Sequence, residues 1–132
     1  MGGFRQSDKE VNTMKGYVDL YLLPLPKKNI PAYRRMAQKF GRIAREHGAL
    51  DYREFLGEDL FPKGLISFTR QVKLGSGEVL TAAIVGFRSR AHRDQVIKKI
   101  FNDPRLAAMM KTKPLFDMKK MVYGGFATFV NV

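Results

Sequence analysis

The run from Val79 to Phe87, VLTAAIVGF, holds nine residues without a single charge. A segment this apolar and β-prone is best read as a strand buried on both faces. The rest of the chain must supply its flanking strands and covering layers. Gly16 to Leu25 reads as one such strand, because Tyr17, Asp19, Tyr21 and Leu23 alternate with Val18, Leu20 and Leu22 and give a mixed face and an aliphatic one. Ala49 to about Leu56 reads as another. Lys120 to Val130 reads as the last, with a bulge or sharp twist expected at Gly124 and Gly125. Leu65 to Leu74 reads as a short extended piece that pairs across the turn Gly75-Ser76-Gly77.

Two helices fall between these strands. Asn29 and Pro31 give a cap followed by a first-turn proline, and Gly48 supplies the stop. At helical spacing Tyr33, Ala37, Phe40, Ala44 and His47 share one stripe, which is the expected core face. Arg34, Arg35, Lys39, Arg42 and Arg45 share the opposite side. Ser89 caps a second helix from Arg90 to about Phe101, and Asp103 with Pro104 opens a short third piece to Met110. The resulting order β-α-β-β-α-β predicts an α+β domain of the ferredoxin-like plait type, with two helices on one side of a four-stranded antiparallel sheet. The sheet's other face needs a partner, and a second copy closing a dimeric α/β barrel supplies one.

At 132 residues the chain is sized for a single domain, here read as 16–132 preceded by a flexible leader over 1–15. That leader has no apolar core, so it is not a secretory signal. The sequence has no cysteine, which excludes thiolate nucleophiles, cysteine zinc sites and dithiol redox chemistry. Together these features suggest a cytoplasmic protein. No apolar run approaches the roughly 18 residues that span a bilayer. Net charge is +12 and is concentrated: Lys27 to His47 carries seven basic residues against one acid, and Arg88 to Lys120 carries ten against three. A basic helical face of this density attracts polyanions in a salt-dependent way. Arg34, Arg35, Lys39, Arg42 and Arg45 are therefore the candidate nucleic-acid contacts, and a solvated surface with only nonspecific affinity is the simpler reading.

Catalytic signatures are absent. Gly75-Ser76-Gly77 lacks the later glycine of a dinucleotide loop, G-x-S-x-G does not occur, and Tyr123 to Val130 departs from the RNA-stacking motif in order and in strand. The two histidines, His47 and His92, are too far apart in sequence to share helical metal-ligand spacing; no metal or cofactor is expected. His47, in a last helical turn, suits a capping role, whereas His92 is the better acid-base candidate on a site otherwise expected at the surface. The inward-facing polar residues are more informative. Asp19 needs donors if it is buried, Arg93 falls on the apolar side of its helix, and Glu54 on the second strand is a possible partner for Arg93. With Tyr21, Tyr52 and His92 they outline a polar pocket between helices and sheet for a small anionic or phenolic ligand. The alternative for the three charged residues is an ordinary buried ion pair.

Several phrases also resemble a known family. Tyr17-Val18-Asp19, Pro24-Leu25-Pro26-Lys27-Lys28-Asn29, Glu46-His47-Gly48-Ala49-Leu50 with Tyr52 and Glu54, Phe68 to Leu74, Ser89 to Asp94, Asp103-Pro104-Arg105, and Phe116-Asp117 leading to Tyr123-Gly124-Gly125-Phe126 resemble the YbaA-like bacterial family, domain of unknown function 1428. The resemblance spans about Gly16 to Phe126. It implies a homodimeric α/β barrel and brings no catalytic residues with it. Small monooxygenase-like barrels share that architecture by analogy alone. Ala82-Ala83 departs from the bulkier residues expected there and alters the shape of any inner pocket.

Overall fold

The computed structural model describes residues 16–132; the leader read at 1–15 lies outside the described residues. Four strands, β1 (Tyr17–Pro26), β2 (Asp51–Leu56), β3 (Glu78–Phe87) and β4 (Val122–Ala127), form one antiparallel sheet in the order β2-β3-β1-β4. The helices are α1 (Ile30–Glu46), the single turn α2 (Phe68–Gln71), α3 (Arg90–Phe101) and α4 (Pro104–Met110). The fold is thus α+β, and the uncharged β3 lies inside the sheet between β1 and β2.

Local chemistry accounts for most element boundaries. Ser89 Oγ accepts from the His92 N–H at 3.1 Å and Asp103 Oδ1 from the Arg105 N–H at 2.8 Å, the expected caps. Gly48 takes φ +116° after α1, a conformation open to glycine. Asn29 behaves otherwise. Its side chain leaves the helix uncapped and donates to the Leu115 carbonyl at 2.8 Å, tying the start of α1 to the approach of β4.

Two expectations change once the strands pair. Leu65 to Leu74 forms no hairpin partner for β3, because both edges of β3 are taken by β1 and β2. The segment instead turns through α2, capped by Ser67. β4 pairs with β1 without interruption from Tyr17↔Ala127 to Leu22↔Val122, so Gly124 and Gly125 make no bulge. Gly125 serves a packing purpose: a Cβ there would stand 2.1 Å from the Tyr17 hydroxyl, so the missing side chain is what lets the tyrosine lie across the strand.

Core formation selects one face of the sheet. Ile43 and Ala44 of α1, Val96 and Ile100 of α3, and Leu106 of α4 bury against Val85 and Phe87, with Tyr17, Tyr21, Phe40 and Tyr52 packed around them. By strand alternation and register, the mixed face of β1 (Tyr17, Asp19, Tyr21, Leu23, Leu25) therefore looks toward the helices. The aliphatic face (Val18, Leu20, Leu22) aligns with Ala82 and Ile84 of β3, Phe55 of β2, and Val122 and Phe126 of β4, and much of it is uncovered. Phe55 is 47%, Val122 48% and Phe126 54% exposed. β3 is thus buried on its helix side at Thr81, Val85 and Phe87 and only half-buried at Ala82 and Ile84 on the other.

Candidate functional site

Alternation along β2 turns Tyr52 and Glu54 toward the helices, in line with Val85 and Ala83 of β3. α1 crosses above and brings Tyr33 down onto the same carboxylate. Tyr33 Oη donates to Glu54 Oε1 at 2.5 Å, and Tyr52 Oη donates to Oε2. One carboxylate is thus clamped by two phenols. Gly41 makes this possible: a Cβ there would stand 2.7 Å from Cδ1 of Tyr52, so the ring lies flat against the α1 backbone. Burial first, and then the charge of Glu54, raise both phenol pKa values above the usual tyrosine range, so both hydroxyls keep their protons. The cluster lies in a groove of about 810 Å³ between α1 and β2. Leu25, Ile30, Ala37 and Leu56 supply apolar walls, and Arg34, Gln38 and Arg42 stand at the mouth.

A second polar cluster occupies the other half of the same face. Asp19 is fully buried (0% exposed). Its Oδ1 accepts from Arg93 Nη1 at 2.7 Å and from Tyr123 Oη at 3.0 Å, while Oδ2 has no hydrogen-bond partner. Arg93 also donates to Tyr123 Oη and to Asp94, and its guanidinium lies 5.0 Å from the centre of the Tyr17 ring, a cation–π contact. Burial raises the Asp19 carboxyl above its ordinary pKa, with Arg93 and then Tyr123 pulling it down. Tyr21 stacks on Tyr123 with ring centres 4.8 Å apart. Register connects the two clusters through one row, Tyr123, Tyr21, Ala83, Glu54. The small residue at position 83 therefore stands between the Tyr21 phenol of β1 and the carboxylate of β2.

The structure regroups the residues singled out from sequence. Asp19 and Arg93 meet as an ion pair. Glu54 turns to the tyrosines and does not meet Arg93. His92 is buried (8% exposed) and sits in neither cluster. Its Nδ1 accepts from the Arg88 N–H at 3.0 Å, its ring stands edge-on to Phe87, and burial lowers its pKa. It closes the turn before α3, so the surface placement expected for it is corrected. His47 Nε2 pairs with Asp103 Oδ2 at 2.8 Å, a contact that fastens the end of α1 to the start of α4. Arg34, Arg35, Lys39, Arg42 and Arg45 all project from α1 into solvent. Tyr33 entered the sequence reading only on the core stripe and Tyr123 only in the rejected stacking motif and the family phrases; a phenol on a core stripe needs a partner for its hydroxyl, a signal that could have found Tyr33. Among the described residues no group of three His, Asp or Glu side chains is placed to hold a metal ion, and no helix is long and apolar enough to cross a membrane.

These features define an α+β protein whose one sheet presents a phenol-clamped carboxylate to a groove beneath its first helix. The chain belongs to the DUF1428 family, described as "Protein of unknown function (DUF1428)", whose model matches residues 16–118. It is similar to the uncharacterized protein YbaA of Escherichia coli (strain K12), with 31% identity over 115 residues, 87% of this chain and 97% of that protein. YbaA of Shigella flexneri gives the same figures. Among solved structures, the de novo designed protein Foldit4 aligns over 89% of this chain and 99% of its own, at 8% identity and a TM-score of 0.40.

Proposed function

We propose that this protein is a cytoplasmic homodimer that binds a small organic ligand in the groove between α1 and β2. The observation that carries the reading is the Glu54 cluster, a carboxylate and two phenols at the base of an otherwise apolar cleft with cationic side chains at its mouth. Ligand sites characteristically combine apolar walls with a few convergent polar groups, and the groove volume lies within their usual range of about 300–1,000 Å³. An apolar body with an anionic or phenolic group suits both walls and mouth. The test is saturable fluorescence enhancement of 8-anilinonaphthalene-1-sulfonate by the native protein. Gln38 is exposed and lines the cleft, so Gln38→Trp should block the mouth without unfolding the chain. Enhancement that survives this substitution unchanged refutes the groove as the site.

The uncovered aliphatic face supports the dimer. Val18, Leu20, Leu22, Ile84, Val122 and Phe126 lie on the side of the sheet opposite the core that α1, α3 and α4 build. A second protomer laid across this face converts two ferredoxin-like plaits into a dimeric α/β barrel and removes the apolar surface from water.

The basic face of α1 favours a second reading, nucleic-acid binding. Its five cationic side chains are exposed, and none forms an ion pair among the described residues. Titration with structured RNA at two salt concentrations separates recognition from charge: binding that survives the higher salt and is lost in Arg35→Glu/Arg42→Glu supports it, and binding that simply vanishes refutes it.

A further inference from the structure

The hydrogen-bond ledger of the groove specifies what its ligand must bring. A hydroxyl carries one proton, and an ionised carboxylate carries none. Tyr33 spends its proton on Glu54 Oε1 and Tyr52 spends its proton on Oε2. Thr81, which also lines the groove, donates its own to the Leu23 carbonyl at 3.0 Å inside the sheet. Every hydroxyl and carboxylate lining the base of the cleft is therefore left with lone pairs only. The phenols cannot release their protons to change this, since burial and Glu54 hold them protonated. At the mouth the balance is reversed. Arg45 is tied to the Leu50 carbonyl, and Glu46 is taken by Arg105. Arg34, Gln38 and Arg42 follow one another at helical spacing along the exposed side of the opening and offer donors.

Resting on the reading of this groove as a ligand site, we infer that its ligand is a small amphipathic acid that carries a hydroxyl or amino donor at the end opposite its anionic group. The donor end enters first, because it alone can satisfy the lone pairs of Glu54, Tyr33 and Tyr52. An apolar or acceptor-only end would desolvate their remaining lone pairs without supplying a donor, which is where polar sites gain most of their discrimination. The anionic end stays at the mouth with Arg34 and Arg42. The middle is apolar, matching Leu25, Ile30, Ala37 and Leu56.

Calorimetric titration of the intact protein with four matched probes tests this. 4-Hydroxybenzoate and 4-aminobenzoate hold both features, 4-methoxybenzoate caps the donor, and methyl 4-hydroxybenzoate caps the anion. The expected result is that the first two bind about tenfold or more tightly than 4-methoxybenzoate, and that 4-hydroxybenzoate outbinds its methyl ester by a margin that narrows as salt is raised. Glu54→Gln replaces one acceptor oxygen with a donor nitrogen, so the preference for hydroxy over methoxy should collapse, with the variant's thermal unfolding measured alongside to confirm that it is folded. Equal binding of 4-hydroxybenzoate and 4-methoxybenzoate overturns the inference and leaves the groove standing as a site. If none of the four binds while the dye occupies the cleft, the inference again falls alone. If neither dye nor probe binds, the groove reading falls with it.

Discussion

Replacing Arg93 with methionine keeps the side chain's reach along α3 and removes its charge, which strands Asp19. The carboxylate is 0% exposed and the Arg93 side chain 13% exposed, so solvent screens the pair little. Oδ2 has no partner, and after the substitution Tyr123 at 3.0 Å is the one remaining donor to Oδ1. Removing one member of a buried ion pair costs about 3–5 kcal/mol, which for a chain of this size lowers Tm by about 10–20 °C. The pH dependence has a definite sign. Burial already raises the Asp19 carboxyl, and Arg93 is the larger of the influences pulling it down; without Arg93 it rises further. A carboxyl raised in the folded state favours folding at low pH, and that contribution is lost as pH climbs through the folded-state value. The deficit of Arg93→Met should therefore be smaller at about pH 5 than at about pH 8. Asp19→Asn/Arg93→Met buries no charge and should recover most of the loss. Thermal and urea unfolding of the three proteins at both pH values is the assay. A single variant within about 1 kcal/mol of the parent, or a double variant no better than the single, refutes the account of the cluster.

Gly41→Ala sets two effects against each other. Alanine gains up to about 1 kcal/mol of helix propensity, but its Cβ would stand 2.7 Å from the half-buried Tyr52 ring, and overpacking costs about 1–3 kcal/mol. The expected outcome is a net loss in urea unfolding together with weakened dye binding; a more stable variant with intact binding contradicts the packing seen between α1 and β2. Leu20→Lys places a charge in the middle of the open sheet face, opposite Ile84 and Gly124. On the proposed assembly, sedimentation should show a dimer for the parent and a folded monomer for the variant, and a parent that sediments as a monomer disproves the paired barrel. Gly125→Val drives a side chain into the Tyr17 hydroxyl and should lower stability by about 1–3 kcal/mol; an unperturbed unfolding curve would show that the strand could have taken any residue there.

Sequence by itself determined what depends on neighbours a few residues away. Ser89, Asp103 and Gly48 end or begin helices through contacts with their own turns, the α1 stripe separates core from cation by periodicity alone, and the uncharged run of β3 could only lie inside a sheet. The inward aim of Asp19 and Arg93 was legible for the same reason. Tertiary structure decided the rest. Alternation gives a strand two faces without saying which is covered; docking of α1 and α3 put the tyrosines of β1 inside and left its aliphatic residues bare. Polar partners likewise depended on register and layering: Glu54 found Tyr33 across 21 residues and Asp19 found Tyr123 across 104, separations at which sequence spacing carries no information. Gly125, read as a bulge, and Leu65 to Leu74, read as a hairpin arm, were settled by what already filled the space beside them, the Tyr17 ring in one case and the occupied edges of β3 in the other.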